Sequence, residues 1–385
     1  MADRCDIAVV GGGMVGAAAA LALSQAGFDV RLLERGAAPP MPGADYDLRV
    51  YAIAPSSAAL LSDLGIWQAL PGDRLCAYQG MRVWESAPER GLNFGAADVG
   101  ENQLGWIAEQ VQLLAALWRQ LPPGVARPNT PVNDAVFADG ALLKLADGEL
   151  QARLVVAAEG AGSPLRERAG IVTAEREYRQ LALVAHVQTR EPHRGLALQR
   201  FLPGGPLAFL PLADGRRSIV WSLPAEQARR VHALSDDDFH RALAAAVQFE
   251  TGTILRSTAR TLFPLRLMHA TEYVRDALAL IGDSAHVIHP LAGQGVNLGL
   301  ADVAELRRVL VEARAQRLDW AGLRVLRRYE RARKAANLEM LALTDLLDRA
   351  FRTRIPGLPR LLDAGLAMLD RAAPAKQALI RRALA

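Results

Sequence analysis

The sequence predicts an α/β fold in which a parallel sheet, built on a βαβ unit, is interleaved with a mostly antiparallel sheet and followed by a helical C-terminus. Three patterns support this class. Residues 6–34, DIAVVGGGMVGAAAALALSQAGFDVRLLE, contain a buried strand, a glycine turn, an Ala/Leu-rich helix and a second strand. Residues 178–270 alternate as antiparallel strands do, in runs such as LALVAHVQT and RSIVWSL. From residue 302 onward the apolar spacing is helical.

Length and composition limit the classes of protein. With 385 residues the chain is long for one core and favours two domains, or one with a large insertion. Apolar residues make up 51% and charged residues 22%, as in ordinary soluble globular proteins. Lys and Arg number 45 and Asp and Glu 41, and this net charge of +4 is too small and too dispersed to indicate nucleic-acid binding.

Cysteine usage and hydropathy indicate the compartment. The two cysteines, Cys5 and Cys76, cannot build a disulfide framework and have no metal-ligand spacing. No apolar run is long enough for a transmembrane helix, and the first strand begins too early for a signal peptide. The sequence therefore predicts a cytoplasmic protein without a metal site.

The first βαβ unit carries a dinucleotide-binding pattern. Gly11, Gly13 and Gly16 have the spacing G-x-G-x-x-G, which suits a tight turn, close approach of a pyrophosphate and close helix packing, respectively. The helix that follows directs N–H groups and a positive dipole end toward phosphates. Glu34, at the end of the second strand, can accept hydrogen bonds from both hydroxyls of an adenosine ribose and would repel the 2′-phosphate of NADP. The unit therefore predicts bound FAD or NAD.

Local signals predict further elements. Ser56 or Ser57 is expected to cap a helix that stops at Gly65. Helical spacing predicts a second helix from Trp106 to Gln120, whereas residues 75–100 have β-type alternation. Strands are expected at 132–137, 142–146, 153–157 and 277–281, and a helical insert at 236–247.

A second glycine cluster selects between the two dinucleotides. In residues 277–302, ALALIGDSAHVIHPLAGQGVNLGLAD, an apolar strand ends at an aspartate, Asp283, which can bond a ribityl hydroxyl or a phosphate-bound water. The amides of Gly295, Val296 and Asn297 begin a helix and favour the electron-rich edge of a flavin. Two ligand-facing segments this far apart suit a long ligand, so the sequence predicts FAD.

With these motifs the chain resembles the FAD-dependent aromatic monooxygenases of the para-hydroxybenzoate hydroxylase type, and within them the ubiquinone-biosynthesis hydroxylases. Residues 289–302, HPLAGQGVNLGLAD, match the signature H-P-[LIV]-[AG]-G-Q-G-x-N-x-G-x-x-D at every position. The segments RVYAIAPSSAALLSDLGIW, IAEQVQLLAALW and YERARKAANLEMLALTDLLDRAF extend the resemblance over nearly the whole chain. One motif departs from the pattern: G-A-D-G-x-x-S-x-x-R reads AAEGAGSPLR, so Glu159 replaces an aspartate linked in the family to FAD and reduced-nicotinamide binding.

The resemblance implies a division of the chain. A discontinuous Rossmann-like FAD-binding domain of the GR2 type would comprise residues 1–74, 101–172 and 272–350. A mostly antiparallel, substrate-binding β-sheet domain would comprise 75–100 and 173–271. Residues 351–385 would form a C-terminal helical segment.

The resemblance also implies residue roles. Arg49 corresponds to an arginine that reaches the pyrophosphate, although it could be a surface arginine, and Gln110 to a polar flavin-domain position, although it could be an ordinary exposed helix residue. No catalytic residue is predicted, because the flavin carries the chemistry. The implied substrate-facing residues are Pro290, Ala292 and Gly293. The implied cofactor-binding residues are Gly11, Gly13, Gly16, Glu34, Arg35, Arg49, Gln110, Asp283, Gly295, Val296 and Asn297.

The implied activity is hydroxylation of the aromatic ring of a polyprenyl-phenol intermediate of ubiquinone biosynthesis, with NAD(P)H and O2, through a flavin C4a-hydroperoxide. Two alternatives stay open: a hydroxylase of another phenolic substrate, and a non-catalytic flavoprotein of a quinone-synthesis complex. The sequence leaves open which ring carbon reacts, whether NADH or NADPH is the donor, and whether the chain forms a homo-oligomer.

A polyprenyl-phenol lies in the membrane, so delivery needs either a peripheral contact with the inner face of the membrane or other ubiquinone-biosynthesis proteins as partners. Residues 355–385 combine apolar positions at helical spacing with basic residues, as lipid-interface helices do. The alternative is a helix packed on the flavin domain with a basic tail. The apolar positions are Leu361, Leu362, Leu366 and Leu369.

Overall fold

The computed structural model describes residues 3–248, 250–287, 295–352, 370 and 372–384. The strands are β1 (Asp3–Val10), β2 (Val30–Leu33), β3 (Val50–Ile53), β4 (Leu75–Tyr78), β5 (Gly80–Trp84), β6 (Leu92–Gly95), β7 (Gly105–Glu109), β8 (Ala126–Arg127), β9 (Asp134–Phe137), β10 (Ala141–Lys144), β11 (Glu149–Ala157), β12 (Thr173–Thr189), β13 (Leu196–Leu202), β14 (Gly205–Pro211), β15 (Arg217–Pro224), β16 (Ile254–Ser257), β17 (Thr261–Ala270), β18 (Val274–Arg275), β19 (Leu278–Leu280) and β20 (His286–Val287). The helices are α1 (Met14–Gln25), α2 (Pro55–Asp63), α3 (Gln110–Gln120), α4 (Pro164–Arg168), α5 (Ala225–His232), α6 (Asp236–Ala246), α7 (Gly295–Ala315), α8 (Leu323–Arg352) and α9 (Ala373–Leu384).

The predicted parallel sheet is present and has β1 in an interior position. Within the described ranges it has eight strands, with the main order β18-β19-β11-β1-β2-β8 and the hairpin β9-β10 added beside β11. β1 pairs in parallel with both β2 and β11, and β11 with β19. Ile7, Ala8 and Val9 have no exposed surface, as expected for a central parallel strand covered on both faces. The parallel pairing brings the ends of β1, β2 and β19 to one edge.

Helix α1 is alanine-rich because it is enclosed by protein. All of its residues from Gly16 to Leu23 are buried, and it packs against α7 and α3. At Gly299 of α7 an added Cβ would lie 2.5 Å from Cγ2 of Val15, so only glycine permits the observed approach of the two helices. This contact places the N-terminal turns of α1 and α7 side by side.

The antiparallel region forms a second sheet. Among the described residues it has nine strands, in the order β20-β17-β12-β15-β14-β13-β5-β6 with β16 beside β12, and only the pair β5-β13 is parallel. One face of this sheet packs on α5 and α6. Helix α6 confirms the predicted helical insert, whereas α5 was not predicted from the sequence. Alternate residues of β12, including Ala182 and Val184, belong to a separate cluster with Leu48 from the loop before β3.

A third, small sheet corrects one prediction. β7 pairs antiparallel with both β3 and β4, so the predicted helix over 106–120 begins only at Gln110. The predicted serine cap of α2 is also wrong. Ala54 occupies the N-cap position without a side-chain hydrogen bond, and Pro55 begins the helix. The predicted stop at Gly65 is confirmed, with φ +74°.

The C-terminal helix α9 packs on the protein. Ile380 is buried against Ala96 and Leu104, and Nζ of Lys376 lies 2.9 Å from Oδ2 of Asp98. α9 therefore lies next to residues 92–104 rather than on the parallel sheet. Leu361, Leu362, Leu366 and Leu369 lie outside the described residues. In the part of the chain that the structure describes, no helix is both long and apolar enough to cross a bilayer.

Candidate cofactor-binding and active site

The glycine turn after β1 has two glycines that the protein itself requires. Gly11 has φ +104°, and an added Cβ would lie 2.3 Å from the carbonyl oxygen of Ala158 on the neighbouring strand's end. A Cβ at Gly16 would lie 1.9 Å from the carbonyl oxygen of Gly11. Both distances are far below van der Waals contact, so any side chain would displace the backbone.

Gly13 differs from these two glycines. An added Cβ would have no atom within 4 Å, and its φ of −68° is one that any residue adopts. Gly13 is the N-cap of α1 and has no side chain, so no N-cap side chain satisfies the first N–H groups of the helix. The protein's own packing therefore does not require glycine here. A ligand that approaches the helix N-terminus would require it, because a side chain would occupy the same space.

Glu34, which follows β2, hydrogen-bonds to the glycine turn. Its Oε2 accepts a hydrogen bond from the Gly12 N–H at 2.6 Å, and its Oε1 accepts one from the Gly36 N–H at 2.8 Å. The Gly12 carbonyl in turn accepts from Nε1 of Trp118 at 2.8 Å. Each carboxylate oxygen retains a second acceptor position, so Glu34 can hold the turn and also accept from a ribose hydroxyl. Arg35, the next residue, is exposed.

Arg49 and Gln110 are brought together, although 60 residues separate them in the sequence. The Gln110 N–H donates to the Arg49 carbonyl at 3.0 Å, and the Arg49 guanidinium lies 4.9 Å from the ring centroid of Phe263. Oε1 of Gln110 is buried, and the described residues offer it no hydrogen-bond partner. A buried amide oxygen without a partner is unfavourable unless a ligand or water completes it.

Polar residues that the sequence patterns did not predict connect the segments around Arg49 and Gln110. Arg74 binds the buried carboxylate of Glu109 at 2.7 Å, and the same carboxylate accepts from the Asp47 N–H at 2.6 Å. Burial raises the pKa of Glu109 despite these partners. His186 on β12 donates from Nε2 to the Asp47 carbonyl at 2.9 Å, which ties the loop before β3 to the large sheet. The sequence predicts these contacts poorly, because the two partners in each contact come from different segments of the chain.

Asp283 lies at the predicted strand tip, in the short turn 282–284 after β19. Its side chain is exposed, although the protein around it desolvates the carboxylate, and we call the open region between Asp283 and the start of α7 the cleft. Desolvation raises the pKa of Asp283, and the described residues give its carboxylate no hydrogen-bond donor. Tyr51 shares the cleft: burial and then the charge of Asp283 raise the pKa of Tyr51 to about 12.

The start of α7 completes the cleft. Gly295, Val296 and Asn297 form its first turn, as predicted from the sequence. The side chain of Asn297 bonds the main chain around β3, accepting from the Ala54 N–H at 3.0 Å and donating to the Ala52 carbonyl at 2.8 Å. Asn297 therefore links α7 to β3 through its side chain. Pro290, Ala292 and Gly293, the predicted substrate-facing residues, lie outside the described residues.

The motif AAEGAGSPLR, in which Glu159 replaces the family's aspartate, has a structural role in this chain. The Glu159 carboxylate accepts from Oγ of Ser163 at 2.5 Å and from the Leu165 N–H at 3.1 Å, at the N-terminus of α4. Desolvation raises the pKa of Glu159. Arg166, from the same motif, is buried and donates from Nη1 to the Ser284 carbonyl at 3.1 Å, next to Asp283.

A buried polar network lies behind the cleft. The Tyr273 hydroxyl accepts from Nδ2 of Asn337 at 3.2 Å and can then donate to Nε2 of His269 at 3.1 Å. Burial lowers the pKa of His269 to about 4. His269 is therefore neutral in the folded protein at neutral and mildly acidic pH.

This lowered pKa predicts acid sensitivity. Between the unfolded pKa of about 6.5 and the folded value of about 4, the unfolded chain binds a proton that the folded chain does not, so stability falls as the pH falls. We expect the free energy of unfolding to decrease by about 2 kcal/mol from pH 7 to pH 5 through this group, at 1.36 kcal/mol per pH unit. Urea unfolding at the two pH values measures it. His269→Gln should reduce the difference by that amount, and an unchanged pH dependence would contradict the assignment.

The geometry fits a long dinucleotide. An uncapped helix N-terminus with open space at Gly13 suits a pyrophosphate, and Glu34 beside it has spare acceptor positions. The cleft that contains Asp283 and the first turn of α7 lies next to it, because α1 and α7 are in contact. The residues present therefore fit FAD bound along the edge of the parallel sheet.

Comparisons with known proteins agree with this geometry. The family model described as "FAD binding domain" matches residues 135–344, and that described as "FAD dependent oxidoreductase" matches residues 6–46. The 3-demethoxyubiquinol 3-hydroxylase of Escherichia coli is 37% identical, over 98% of this chain and 98% of that protein. The ubiquinone hydroxylase UbiL of Rhodospirillum rubrum is 35% identical, over 100% and 90%. The crystal structure of p-nitrophenol 4-monooxygenase PnpA from Pseudomonas putida superposes with a TM-score of 0.76 at 20% identity, over 98% of this chain and 97% of that chain.

The fold and the site define an FAD-dependent monooxygenase of the para-hydroxybenzoate hydroxylase type. Within that class, the full-length matches show that the chain belongs to the family of ubiquinone-biosynthesis hydroxylases. FAD is its cofactor, and NAD(P)H is the usual electron donor of the family. These findings confirm the predicted fold class, family and cofactor.

Proposed function

We propose that this protein hydroxylates the aromatic ring of a polyprenyl-phenol intermediate of ubiquinone biosynthesis, using NAD(P)H and O2. The observation that carries the proposal is the meeting of the two predicted cofactor segments, the Gly13 turn and the Asp283 cleft, in a chain whose full-length relatives are ubiquinone hydroxylases. FAD, when bound, would pass two electrons from NAD(P)H to O2, so that one oxygen atom of O2 enters the ring and the other leaves as water.

Two apolar clusters pack around the segment that carries Arg49. Leu48 packs on Ala182, Val184 and Val220 of the large sheet, and the neighbouring cluster of Ala52 with Leu210 is also apolar. Apolar surroundings suit a phenol with a hydrocarbon tail and exclude water, which protects a reactive oxygen donor from unproductive decay. We retain the predicted domain division as a proposal. FAD is bound by residues 1–74, 101–172 and 272–350, and the substrate by residues 75–100 and 173–271.

We assign cofactor-binding roles to chain groups as follows. The N–H groups at the start of α1 bind the pyrophosphate, with Arg49 as a further cation, and Glu34 accepts from the ribose. Asp283 accepts from a hydroxyl of the ribityl chain. The N–H groups of the first turn of α7 lie at the flavin end, and Gln110 contributes through its position next to Arg49.

The test is turnover with a defined substrate. The FAD-loaded protein should oxidise NADH or NADPH faster when a short-chain polyprenyl-phenol is present, and mass spectrometry should detect a product heavier by one oxygen atom. Quinone intermediates from a deletion strain would identify the ring carbon. NAD(P)H oxidation no faster than with free FAD in the presence of every phenol tested, with no oxygenated product, would contradict the proposal and favour the non-catalytic alternative.

For access to a lipid substrate, we propose a peripheral contact with the membrane, with delivery by another ubiquinone-biosynthesis protein as the competing route. The packing of α9 on residues 92–104 makes the segment before α9 the better candidate for such a contact. Flotation with anionic liposomes tests it: the full chain should float and a chain ending at Arg354 should not. Equal flotation of the two chains would exclude the segment, and no flotation of either would favour delivery by a partner.

A further inference from the structure

Asp302 is a completely buried carboxylate on α7 that lies directly behind the Asp283 turn. Its Oδ2 accepts from the Gly282 N–H at 3.0 Å and lies 2.6 Å from Nε2 of His286. Gly282 immediately precedes Asp283, so one oxygen of Asp302 holds the backbone on which Asp283 stands.

The other oxygen connects to helix α8. Oδ1 of Asp302 accepts from Nε of Arg333 at 2.7 Å, and Arg333 also donates to the Leu298 carbonyl at 3.3 Å. Leu298 follows the first turn of α7. A charge buried this deeply is costly unless it is paired and fully hydrogen-bonded, and here both oxygens of Asp302 have partners.

Gly282 makes the turn depend on these bonds. It has φ +56°, and glycine has little intrinsic preference for one backbone conformation. An added Cβ would lie 3.2 Å from the side chain of Val15 on α1, so the turn is also close to α1, the helix whose N-terminus we assign to the pyrophosphate. The Asp302 acceptor therefore contributes to fixing where Asp283 lies relative to the N-termini of α1 and α7.

We propose that Asp302, together with Arg333, is a positioning residue for FAD: it sets the Asp283 turn and the first turn of α7 in register without touching the cofactor. This proposal rests on the cofactor site proposed above. Asp302 would act through backbone groups, so its loss should change how the flavin is held more than whether the chain folds.

Asp302→Asn is the informative variant. Asparagine has one acceptor oxygen and an NH2 group, so it must present a donor either to the Gly282 N–H or to Arg333. We expect the Kd for FAD to rise about tenfold or more, and the fluorescence of the bound flavin to move toward that of free FAD.

Glu330→Gln on α8 is the matched control. Glu330 also bonds a backbone group, accepting from the Tyr273 N–H at 2.8 Å, but within the described residues it makes no hydrogen bond to Gly282 or Asp302. Both variants should lower the Tm of the cofactor-free protein, whereas only Asp302→Asn should lower FAD affinity. Equal FAD affinity and equal flavin fluorescence in the two variants would overturn the proposal.

If Asp302→Asn does not fold, Arg333→Lys provides the same test, because lysine keeps the charge but cannot reproduce both the Asp302 and the Leu298 contacts. An FAD Kd equal to that of the wild type would then overturn the proposal. Failure of the wild-type protein to bind FAD would instead contradict the proposed cofactor site itself, which separates the two failures.

Discussion

Replacing Gly13 with valine is expected to abolish FAD binding while leaving the cofactor-free protein folded. A side chain at this position meets no protein atom within 4 Å, and its backbone angles suit any residue. The valine methyl groups would instead occupy the space before the N-terminus of α1, where we place the pyrophosphate. Isothermal titration with FAD should show at least a hundredfold loss of affinity, and the Tm without FAD should stay within about 2 °C of the wild type.

Gly16→Ala is the control with the opposite signature. A Cβ there would lie 1.9 Å from the Gly11 carbonyl oxygen, a backbone atom that cannot move without distorting the turn. Overpacking of this kind costs about 1–3 kcal/mol or more, so this variant should lower the Tm of the cofactor-free protein. If Gly13→Val loads with FAD like the wild type, the turn is not the pyrophosphate site.

The two glycines also show what a sequence can and cannot predict. The spacing G-x-G-x-x-G and the flanking strands determine the βαβ unit locally, so β1, α1 and β2 match the prediction closely. The strand β7 was missed because its conformation depends on pairing with β3 and β4, from other parts of the chain. Its alternation, too short to be distinctive, merges with the helical pattern of α3.

The site follows the same rule. Glu34, Asp283 and the start of α7 were predictable because each follows a strong local motif. The Arg74–Glu109 and Asp302–Arg333 pairs were not, because their partners lie 35 and 31 residues apart, in different segments of the chain. Asn297 was predicted as a flavin contact from its motif, but only the fold shows that its side chain holds β3.

The second large effect is expected at Asp283, where Asp283→Asn should weaken FAD binding. The carboxylate stands in the cleft without a described protein donor, and a charged hydrogen bond to a ligand hydroxyl contributes roughly 1.5–3 kcal/mol, about 10- to 150-fold in Kd. The cofactor-free protein should not be destabilised. Desolvation by the surrounding protein raises the pKa of Asp283, so ionising it costs more in the folded state than in water, and a neutral amide removes that cost.

The raised pKa gives the same prediction a pH signature. As the pH falls through the folded pKa of Asp283, the carboxylate gains a proton and loses acceptor strength, so FAD affinity of the wild type should fall toward that of Asp283→Asn. The variant should lack this dependence. FAD titrations from pH 4 to pH 8, with exposed Asp276→Asn on the neighbouring hairpin as the control, measure both effects. Parallel pH profiles for the wild type and Asp283→Asn would show that another group recognises the ribityl chain, because a carboxylate that accepts a hydrogen bond from the ligand must couple its own protonation to binding.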